Sequence, residues 1–390
     1  MKLAIVGLGQ CGCNIADSFY NVNSYSESFF SRRIEILTDT FAINTDEADL
    51  GGFKHIPKDK NHRILIGTMA TFGHGVGKIN TEAANIIKSA NAVVVDAILR
   101  SAKFQESDAI LVIASGGGGT GSGTIGWVCK MLKEHTDRPV YAMVVLPFAF
   151  EEKGNISYAV LNSATCINTV IQYADATFLF DNEFHRKMGT SMMDNLQDIN
   201  EELALNFYDL CCAGEEKKTK YVGSKVVDAG DIKQSLEGLS VIGRGEVKLP
   251  MFRWQKGTYR QEIKDNSQVF TALRQAETNL GLGVDLQHAR KILLLVTSPK
   301  DFLTTSVMEE ILSYLQRKAP NAIIRIGDYP RRDREISVTL IASQLVKVSR
   351  VERLFLQADE ILKKQAQVSV QTDAELELMK DLHRKIPTLD

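Results

Sequence analysis

The sequence lacks any apolar run near the roughly 20 residues that a membrane-spanning helix needs, so it predicts no direct transmembrane insertion. We expect no secretory signal at its start, because the apolar residues within 1–7 are too few and end in glycine. We interpret this opening as a first β-strand. With 44% apolar and 24% charged residues, the composition is typical of a globular protein, and 390 residues are enough for two domains.

Neither sign of charge is in excess, since 46 Lys and Arg residues face 48 Asp and Glu residues for a net charge of −2. This balance gives no electrostatic reason to expect nucleic acid or a membrane surface as a partner. The cysteines contain no C-x-x-C pair and no spacing typical of a disulfide framework. They are Cys11, Cys13, Cys129, Cys166, Cys211 and Cys212. We therefore expect reduced thiols and a cytoplasmic location.

Glycine, in contrast, is concentrated in one stretch, S-G-G-G-G-T-G-S-G at 115–123. It follows the apolar run 109–114 and precedes the amphipathic run 124–134, which indicates a strand, a loop and a helix. Such a loop brings main-chain N–H groups to a helix N-terminus, where an anion is favoured, and phosphate is the natural candidate. A flexible linker is the alternative, but linkers are rarely bracketed by a strand and a helix. The stretch has no lysine and so is not a Walker A loop.

A second glycine pattern, G-x-G-x-x-G at 7–12, follows the first strand. It is the dinucleotide fingerprint of oxidoreductases, with Asp39 or Asp46 as candidates for the acid that holds the ribose. That interpretation leaves the richer loop at 116–123 unexplained. We keep an NAD-linked oxidoreductase as an alternative hypothesis.

The glycine-rich stretch resembles the GGGTGSG-type phosphate loop of the tubulin/FtsZ superfamily. Gly9 to Gly12 followed by Asn14 resemble its first loop in the tubulin form, and P-F-A-F-E at 147–151 resembles its fifth. The matches run in the family's order from Lys2 to about Leu362. The second half, the short chain and the tail look nearest to the archaeal tubulin-like group called CetZ.

The resemblance implies an α/β fold: an N-terminal Rossmann-like GTPase domain with a parallel sheet, a central connector helix and a smaller α/β C-terminal domain. We place the GTPase domain at 1–192, the connector and following break at 193–222, the C-terminal domain at 223–364 and a polar tail at 365–390. Within this frame we expect one long helix at 81–103 and a helix at 193–212. For the second half we expect helices at 267–280, 302–318 and 349–364, strands at 290–297, 321–327 and 335–343, and a hairpin formed by 326–328 and 336–342.

The resemblance also implies GTP or GDP with Mg²⁺ as cofactors, and it carries binding roles to residues of this chain. They are Gly9, Gln10, Cys11, Gly12, Asn14, Asn44, Gly73, Gly75, Gly117, Gly118, Gly119, Thr120, Gly121, Ser122, Glu151, Asn155, Asn182 and Asn200. Among them, Glu151 would reach the ribose, and the amides of Asn182 and Asn200 would match donors and acceptors of guanine. Asp46 would help to hold the metal. Taken singly, polar residues such as Asp46 often only make turns, and the two asparagines are often solvated or capping residues.

Asp228 and Asp231 form a D-x-x-D pair that enters a helix. Acids in a first helical turn commonly complement the helix dipole. The resemblance instead identifies them with the family's catalytic loop, although Val226 stands where FtsZ usually has asparagine. In that arrangement the acids are too far from their own nucleotide and act on that of a second, head-to-tail subunit, which makes a filament.

The function implied is therefore a polymerising cytoskeletal GTPase that controls cell shape or division, with the chain itself as partner and a membrane adaptor protein as a candidate partner. A regulatory GTP-binding scaffold that does not polymerise is the alternative within the same superfamily.

Overall fold

The computed structural model describes residues 1–28, 31–154, 157–187, 189–249 and 259–384, apart from the side chains of 259–266 and 368–384. The described residues form an α/β fold in which one continuous sheet is packed on both faces by helices. Its strands are β1 (Leu3–Leu8), β2 (Leu37–Asn44), β3 (Arg63–Leu65), β4 (Ala109–Ser115), β5 (Val140–Leu146), β6 (Ala176–Asp181), β7 (Gly238–Lys248), β8 (Lys291–Ser298), β9 (Ile323–Pro330) and β10 (Glu335–Ser343).

The helices of the described part alternate with these strands, as expected when parallel strands are joined by crossovers. They are α1 (Gly9–Glu27), α2 (Glu47–Gly51), α3 (Thr68–Thr71), α4 (Asn80–Ser89), α5 (Asn91–Leu99), α6 (Thr120–His135), α7 (Tyr158–Val170), α8 (Met192–Glu215), α9 (Ala229–Ser235), α10 (Tyr259–Thr278), α11 (Thr305–Lys318) and α12 (Ser349–Arg384). None of the helices described is long and apolar enough to cross a bilayer.

The order of strands across the sheet is β3-β2-β1-β4-β5-β6-β7-β10-β8-β9. The first six strands are all parallel, and β7 joins them through a short parallel pairing in which Gly238 lies opposite Ala176. Beyond β7 the sheet is mixed, because β10 runs antiparallel to β7 and β8, whereas β9 is parallel to β8. The second domain therefore extends the sheet of the first.

The central strands are apolar without alternation because both faces are buried, which is the pattern of a covered parallel sheet. In β1, Leu3 and Ile5 face the core that contains α1 and α8, whereas Ala4 and Val6 face the core beneath α4 to α7. Every residue of β5 is buried. This packing gives the carboxyl ends of β1, β4, β5 and β6 a rigid base.

Helix α8 connects the two domains. Ser191 caps its start by accepting a hydrogen bond from the N–H of Asp194, and Phe207 packs against Phe19 of α1 with ring centroids 5.7 Å apart. Toward the second domain, the carboxylate of Asp209 in α8 pairs with the guanidinium of Arg244 in β7 at 3.1 Å. The helix thus belongs to the cores of both domains, as the predicted connector requires.

Several local predictions are wrong. The helix expected at 81–103 is interrupted at Ala90, whose ψ of 5° separates α4 from α5. The expected hairpin of 326–328 with 336–342 does not form, because β8 lies between β9 and β10. Strand β7 was not predicted at all. The polar tail at 365–390 is not one of these errors, since a helix was one of its expected forms: residues 365–384 continue helix α12, and 385–390 lie outside the described residues.

Candidate functional site

The loops that follow β1 to β6 lie at one edge of the sheet, because these strands are parallel. Every residue that the family resemblance assigns to nucleotide binding lies at or after the end of one of these strands, apart from Asn200, which lies on α8. The glycine-rich stretch sits between the other loops because β4 and β5 are central in the sheet. A ligand at this edge can therefore be reached from several loops at once.

Helix α6 begins at Thr120, directly after four glycines, so the N–H groups of its first turn have no acceptor within the helix. A Cβ atom at Gly119 would lie 2.7 Å from Cγ2 of Val76, so the loop is packed too closely there for a side chain. At Gly118, no heavy atom lies within 4 Å of the corresponding position. Gly118 thus borders open space at a helix N-terminus, which is a favourable place for an anion.

The G-x-G-x-x-G loop lies directly against this glycine-rich loop. Gly9 has a φ of +66°, and a Cβ there would be 2.9 Å from the amide nitrogen of Gly121. A Cβ at Gly12 would be 2.1 Å from the carbonyl oxygen of Ile113 in β4. The two glycine patterns therefore form one site and not two separate nucleotide sites.

The loops after β2 and β3 close the site on another side. The hydroxyl oxygens of Thr45 and Thr120 are 2.7 Å apart. The N–H of Gly75 donates to the carbonyl oxygen of Thr45, and that of Glu47 donates to the carbonyl oxygen of Gly73. Gly73 and Gly75 both have positive φ, so this segment is a loop whose backbone angles favour glycine.

Two carboxylates lie beside these loops. Asp46 accepts a hydrogen bond from the N–H of Asp49 and so caps α2. The carboxylate of Asp49 in turn accepts bonds from the side-chain amides of Asn44 and Gln10, each at 3.0 Å. Burial and the charge of Asp46 raise the pKa of Asp49 despite these hydrogen bonds. Negative charge is therefore concentrated at this side of the site.

These carboxylates fit a Mg²⁺ ion that arrives with a nucleotide. The described residues contain no cluster of three or more His, Cys, Asp or Glu side chains that could hold a metal alone. Protein-bound Mg²⁺ commonly uses one or two carboxylates together with substrate phosphates and water. Asp46, with the hydroxyls of Thr45 and Thr120 nearby, provides oxygen ligands of this kind.

Asn162 of α7 contributes to the site but was not predicted from the sequence. It is buried, and its side-chain amide donates at 2.9 Å both to the carbonyl oxygen of Lys78 and to that of Gly118. It therefore joins the loop after β3 to the glycine-rich loop. The hydroxyl of Ser122 also donates to the carbonyl oxygens of Gly118 and Gly119, so this predicted binding residue contributes its side chain to the loop's own geometry.

On the side of β5, the carboxylate of Glu151 accepts a hydrogen bond from the N–H of Phe148 at 3.0 Å and so braces its own turn. Burial and, to a smaller extent, the negative charge of Glu151 raise the pKa of the Cys11 thiol to about 12. The thiol is therefore protonated at neutral pH, which makes it a poor nucleophile. Asn155, another predicted binding residue, lies outside the described residues.

Asn182 follows β6 and is only 8% exposed, whereas Asn200 is half-buried on α8. Beside Asn182, the carboxylate of Asp181 pairs at 2.7 Å with Arg350 at the start of α12. The same guanidinium binds Glu152, the neighbour of Glu151. Arg350 thus connects the second domain to the loops after both β5 and β6. Asn14 and Gln10 are exposed on the first turns of α1.

Asp228 and Asp231 lie at the opposite edge of the sheet. They precede β7, which runs parallel to β6 and starts beside the first residue of β6. Strands of six or seven residues separate the two edges by roughly 20 Å, at about 3.3 Å per residue. The acids form a capping box for α9, in which Asp228 accepts from the N–H of Asp231 at 2.8 Å and Asp231 accepts from the N–H of Asp228. Within one molecule, the two acids therefore lie far from the loops that follow β1 to β6, which we call the loop cluster.

Comparison with known proteins agrees with this architecture. Residues 2–189 match the GTPase domain of the tubulin/FtsZ family, and residues 189–360 match the C-terminal domain of tubulin-like CetZ. The tubulin-like protein CetZ1 of Haloferax volcanii is 31% identical over 371 residues, which cover 91% of both chains.

Solved structures give the same result. The GDP-bound monomer of CetZ1 from Haloferax volcanii is similar with a TM-score of 0.78 and 30% identity, over 92% of this chain and 99% of that one. A GTPγS-bound protofilament of CetZ2 from the same organism is similar with a TM-score of 0.79 and 25% identity, over 94% of this chain and 100% of that one. The predicted family and the two-domain α/β fold are thereby confirmed. This chain belongs to the tubulin/FtsZ family of cytoskeletal GTPases, and within it to the CetZ proteins.

Proposed function

We propose that this protein binds GTP at the loop cluster and hydrolyses it at the junction with a second copy, whose Asp228 and Asp231 complete the site. One observation carries the proposal: the loop cluster and the acid pair occupy opposite edges of one sheet, so neither can reach the other within a molecule. Head-to-tail stacking brings unlike edges together and generates an open-ended filament. The GTPγS-bound protofilament of CetZ2 supports self-association of this kind.

In this proposal, the N–H groups at the start of α6 bind the phosphates, and the glycines admit them without a clash. Bound Mg²⁺ would neutralise charge on the β- and γ-phosphates. The carboxylates of Asp228 and Asp231 from the next subunit orient and polarise the water that attacks the γ-phosphorus, the bond to the β-phosphate oxygen breaks, and GDP and phosphate result. Positioning and charge neutralisation supply most of such a rate enhancement.

The finer roles follow from the same proposal. Glu151 binds the ribose, and Asn182 and Asn200 bind the guanine. Asp46 holds the metal. The filaments serve cell shape or division in the cytoplasm, with a membrane adaptor protein as a candidate partner. The oxidoreductase alternative is overturned, because the chain belongs to a GTPase family and both glycine patterns line one site.

The test is a complementation experiment. Asp231→Ala removes one acid and leaves the loop cluster intact, whereas Gly118→Ala is designed to obstruct phosphate binding and leaves the acids intact. Each variant alone should show little turnover, and an equimolar mixture should regain part of it, because one half of each site comes from each variant. Turnover per subunit in the wild type should rise with protein concentration. Turnover that is independent of concentration and unchanged by Asp231→Ala would contradict the shared site.

A second candidate is a GTP-binding scaffold that does not polymerise. The capping box favours it, because capping α9 already gives Asp228 and Asp231 a structural role. Light scattering with GTP, with GDP and without nucleotide separates the two. Scattering that increases only with GTP supports the polymerising GTPase, whereas nucleotide binding without any increase supports the scaffold.

A further inference from the structure

Strand β9 lies beside the segment 223–227 that leads into Asp228. The N–H of Asp328 in β9 donates to the carbonyl oxygen of Lys225 at 3.0 Å, so the segment is attached to the strand through its backbone. Ser224, Lys225 and Val226 are exposed, and the apolar core therefore does not hold them. The core holds Val227, the last residue of the segment, so the residues before it depend on β9 for their attachment.

The carboxylate of Asp328 supplies most of that attachment. It is 7% exposed. One oxygen accepts from the N–H of Ser224 at 2.9 Å, and the other accepts from the N–H of Lys225 at 2.5 Å and the hydroxyl of Ser224 at 3.1 Å. A carboxylate accepts hydrogen bonds on both oxygens, and bonds to a charged group are stronger than those between neutral groups. No neutral side chain of the same shape can accept all three.

Two glycines allow the segment to approach β9 this closely. A Cβ atom at Gly223 would be 2.0 Å from the carbonyl oxygen of Asp328. A Cβ at Gly327 would be 2.1 Å from Cγ2 of Val227, the residue before the first acid. Contacts this short are not tolerated, so alanine at either position would push the segment away from the strand.

Strand β9 also contacts the second acid. The guanidinium of Arg325 lies 3.7 Å from the carboxylate of Asp231 and donates to the side chains of Ser235 and Gln234 in α9. Arg325 and Asp328 therefore hold the acid-bearing segment on both sides of Asp228. Neither residue belongs to the capping box itself.

We propose that Asp328 is a positioning residue for GTP hydrolysis, which fixes where the neighbouring subunit's nucleotide meets Asp228 and Asp231. The inference rests on the proposed function. Because the acids act across a junction, their position relative to their own subunit must be set by that subunit. An error of about 1 Å in a reacting group can cost a hundredfold in rate. Strand β9 thus ties the hydrolytic acids to the sheet of the second domain.

The test is Asp328→Asn, which keeps the shape but replaces an accepting oxygen by a donor that faces N–H groups. Three quantities are measured: phosphate release per polymerised subunit, the GTP concentration that half-saturates it, and the midpoint of thermal unfolding. We expect phosphate release to fall tenfold or more, while the half-saturating concentration and filament formation change less than twofold. Asp301→Asn, an exposed carboxylate in the same domain, is the matched control and should behave as wild type.

A residue that only stabilises the fold would lower the unfolding midpoint, assembly and turnover together, and that result would overturn the inference. Turnover within twofold of wild type in Asp328→Asn would also overturn it, while loss of turnover in Asp231→Ala would leave the proposed function standing. If Asp328→Asn fails to fold, Gly223→Ala replaces it, because it displaces the same surface segment and keeps the carboxylate. The same tenfold loss supports positioning, and unchanged turnover refutes it.

Discussion

The side-chain amide of Asn162 donates to the carbonyl oxygen of Gly118 at 2.9 Å, from a helix that carries no predicted binding residue. The same amide also donates to the carbonyl oxygen of Lys78 in the loop after β3. The position of the phosphate-binding loop therefore depends on a residue that never needs to touch the ligand. A substitution of Asn162 should therefore change nucleotide affinity only through the geometry of the phosphate-binding loop.

We expect Asn162→Ala to weaken GTP binding by about tenfold, because the variant loses the hydrogen bonds that join Lys78 to Gly118, and such a bond contributes roughly 0.5–1.5 kcal/mol. Titration with a fluorescent guanine nucleotide measures the change. Asn168→Ala on the exposed side of the same helix is the control and should bind as wild type. Equal affinities for both variants would show that the bridge does not shape the site.

Gly118 offers a way to separate binding from folding. A Cβ atom there meets no protein atom within 4 Å, so Gly118→Ala should keep the thermal unfolding midpoint of the wild type. It should nevertheless lose at least tenfold in GTP affinity, about 1.4 kcal/mol, because the added methyl group enters the space assigned to phosphate. At Gly119 the added atom would be 2.7 Å from Val76 and 2.8 Å from Lys78, so Gly119→Ala should lose stability as well. Wild-type affinity in Gly118→Ala would mean that phosphate binds elsewhere.

The strands that carry the site could be predicted from sequence because they are buried on both faces and appear as unbroken apolar runs, as in β4 and β5. The glycine-rich loop could be predicted for a related reason, since glycines at a strand-to-helix junction have few other uses. Asn162 could not be predicted. Its two partners are 84 and 44 positions away, and an asparagine in an apolar helix gives no local signal of them.

Strand β7 was missed because its glycines suggest a break and not a strand. The structure explains them through packing against α10. A Cβ atom at Gly243 would lie 2.3 Å from the carbonyl oxygen of Ala276, and one at Gly245 would lie 2.0 Å from that of Ala272. The close approach of α10 and β7 is a tertiary contact, so it cannot be predicted from the local sequence.

Asp228 has a capping role that can be separated from its proposed catalytic role. Asn and Asp are similarly good N-cap residues, so Asp228→Asn should keep the cap on α9 and remain within about 0.5 kcal/mol of wild-type stability. Phosphate release above the assembly concentration should still fall at least tenfold, because the negative charge is lost. Asp228→Ala should show the same fall together with about 1 kcal/mol of destabilisation. Full turnover in Asp228→Asn would leave capping as the residue's only role.

Asp209 of α8 holds the two domains together through charge. It is fully buried and pairs with Arg32 and with Arg244, and it accepts a hydrogen bond from the hydroxyl of Ser337 in β10 at 2.7 Å. Burial alone would raise the pKa of this carboxyl, but Arg32 and Arg244 outweigh burial and lower it well below the usual range. Because the pKa is depressed on folding, the carboxylate stabilises the native state wherever it is ionised in the unfolded chain.

We therefore expect Asp209→Asn to destabilise the protein by about 3–5 kcal/mol at neutral pH, since it leaves buried guanidinium groups without their carboxylate. The contribution is complete above the unfolded pKa of about 3.9 and is lost as the pH falls below it toward the folded pKa. In urea unfolding, the free energy of unfolding of the wild type should exceed that of the variant by a constant amount from about pH 5 to 8. This difference should become smaller below about pH 4. Asp198→Asn, at a partly exposed acid of the same helix that pairs with Lys187, should cost less than about 1 kcal/mol. A difference that widens on acidification would mean that Asp209 is protonated in the native protein.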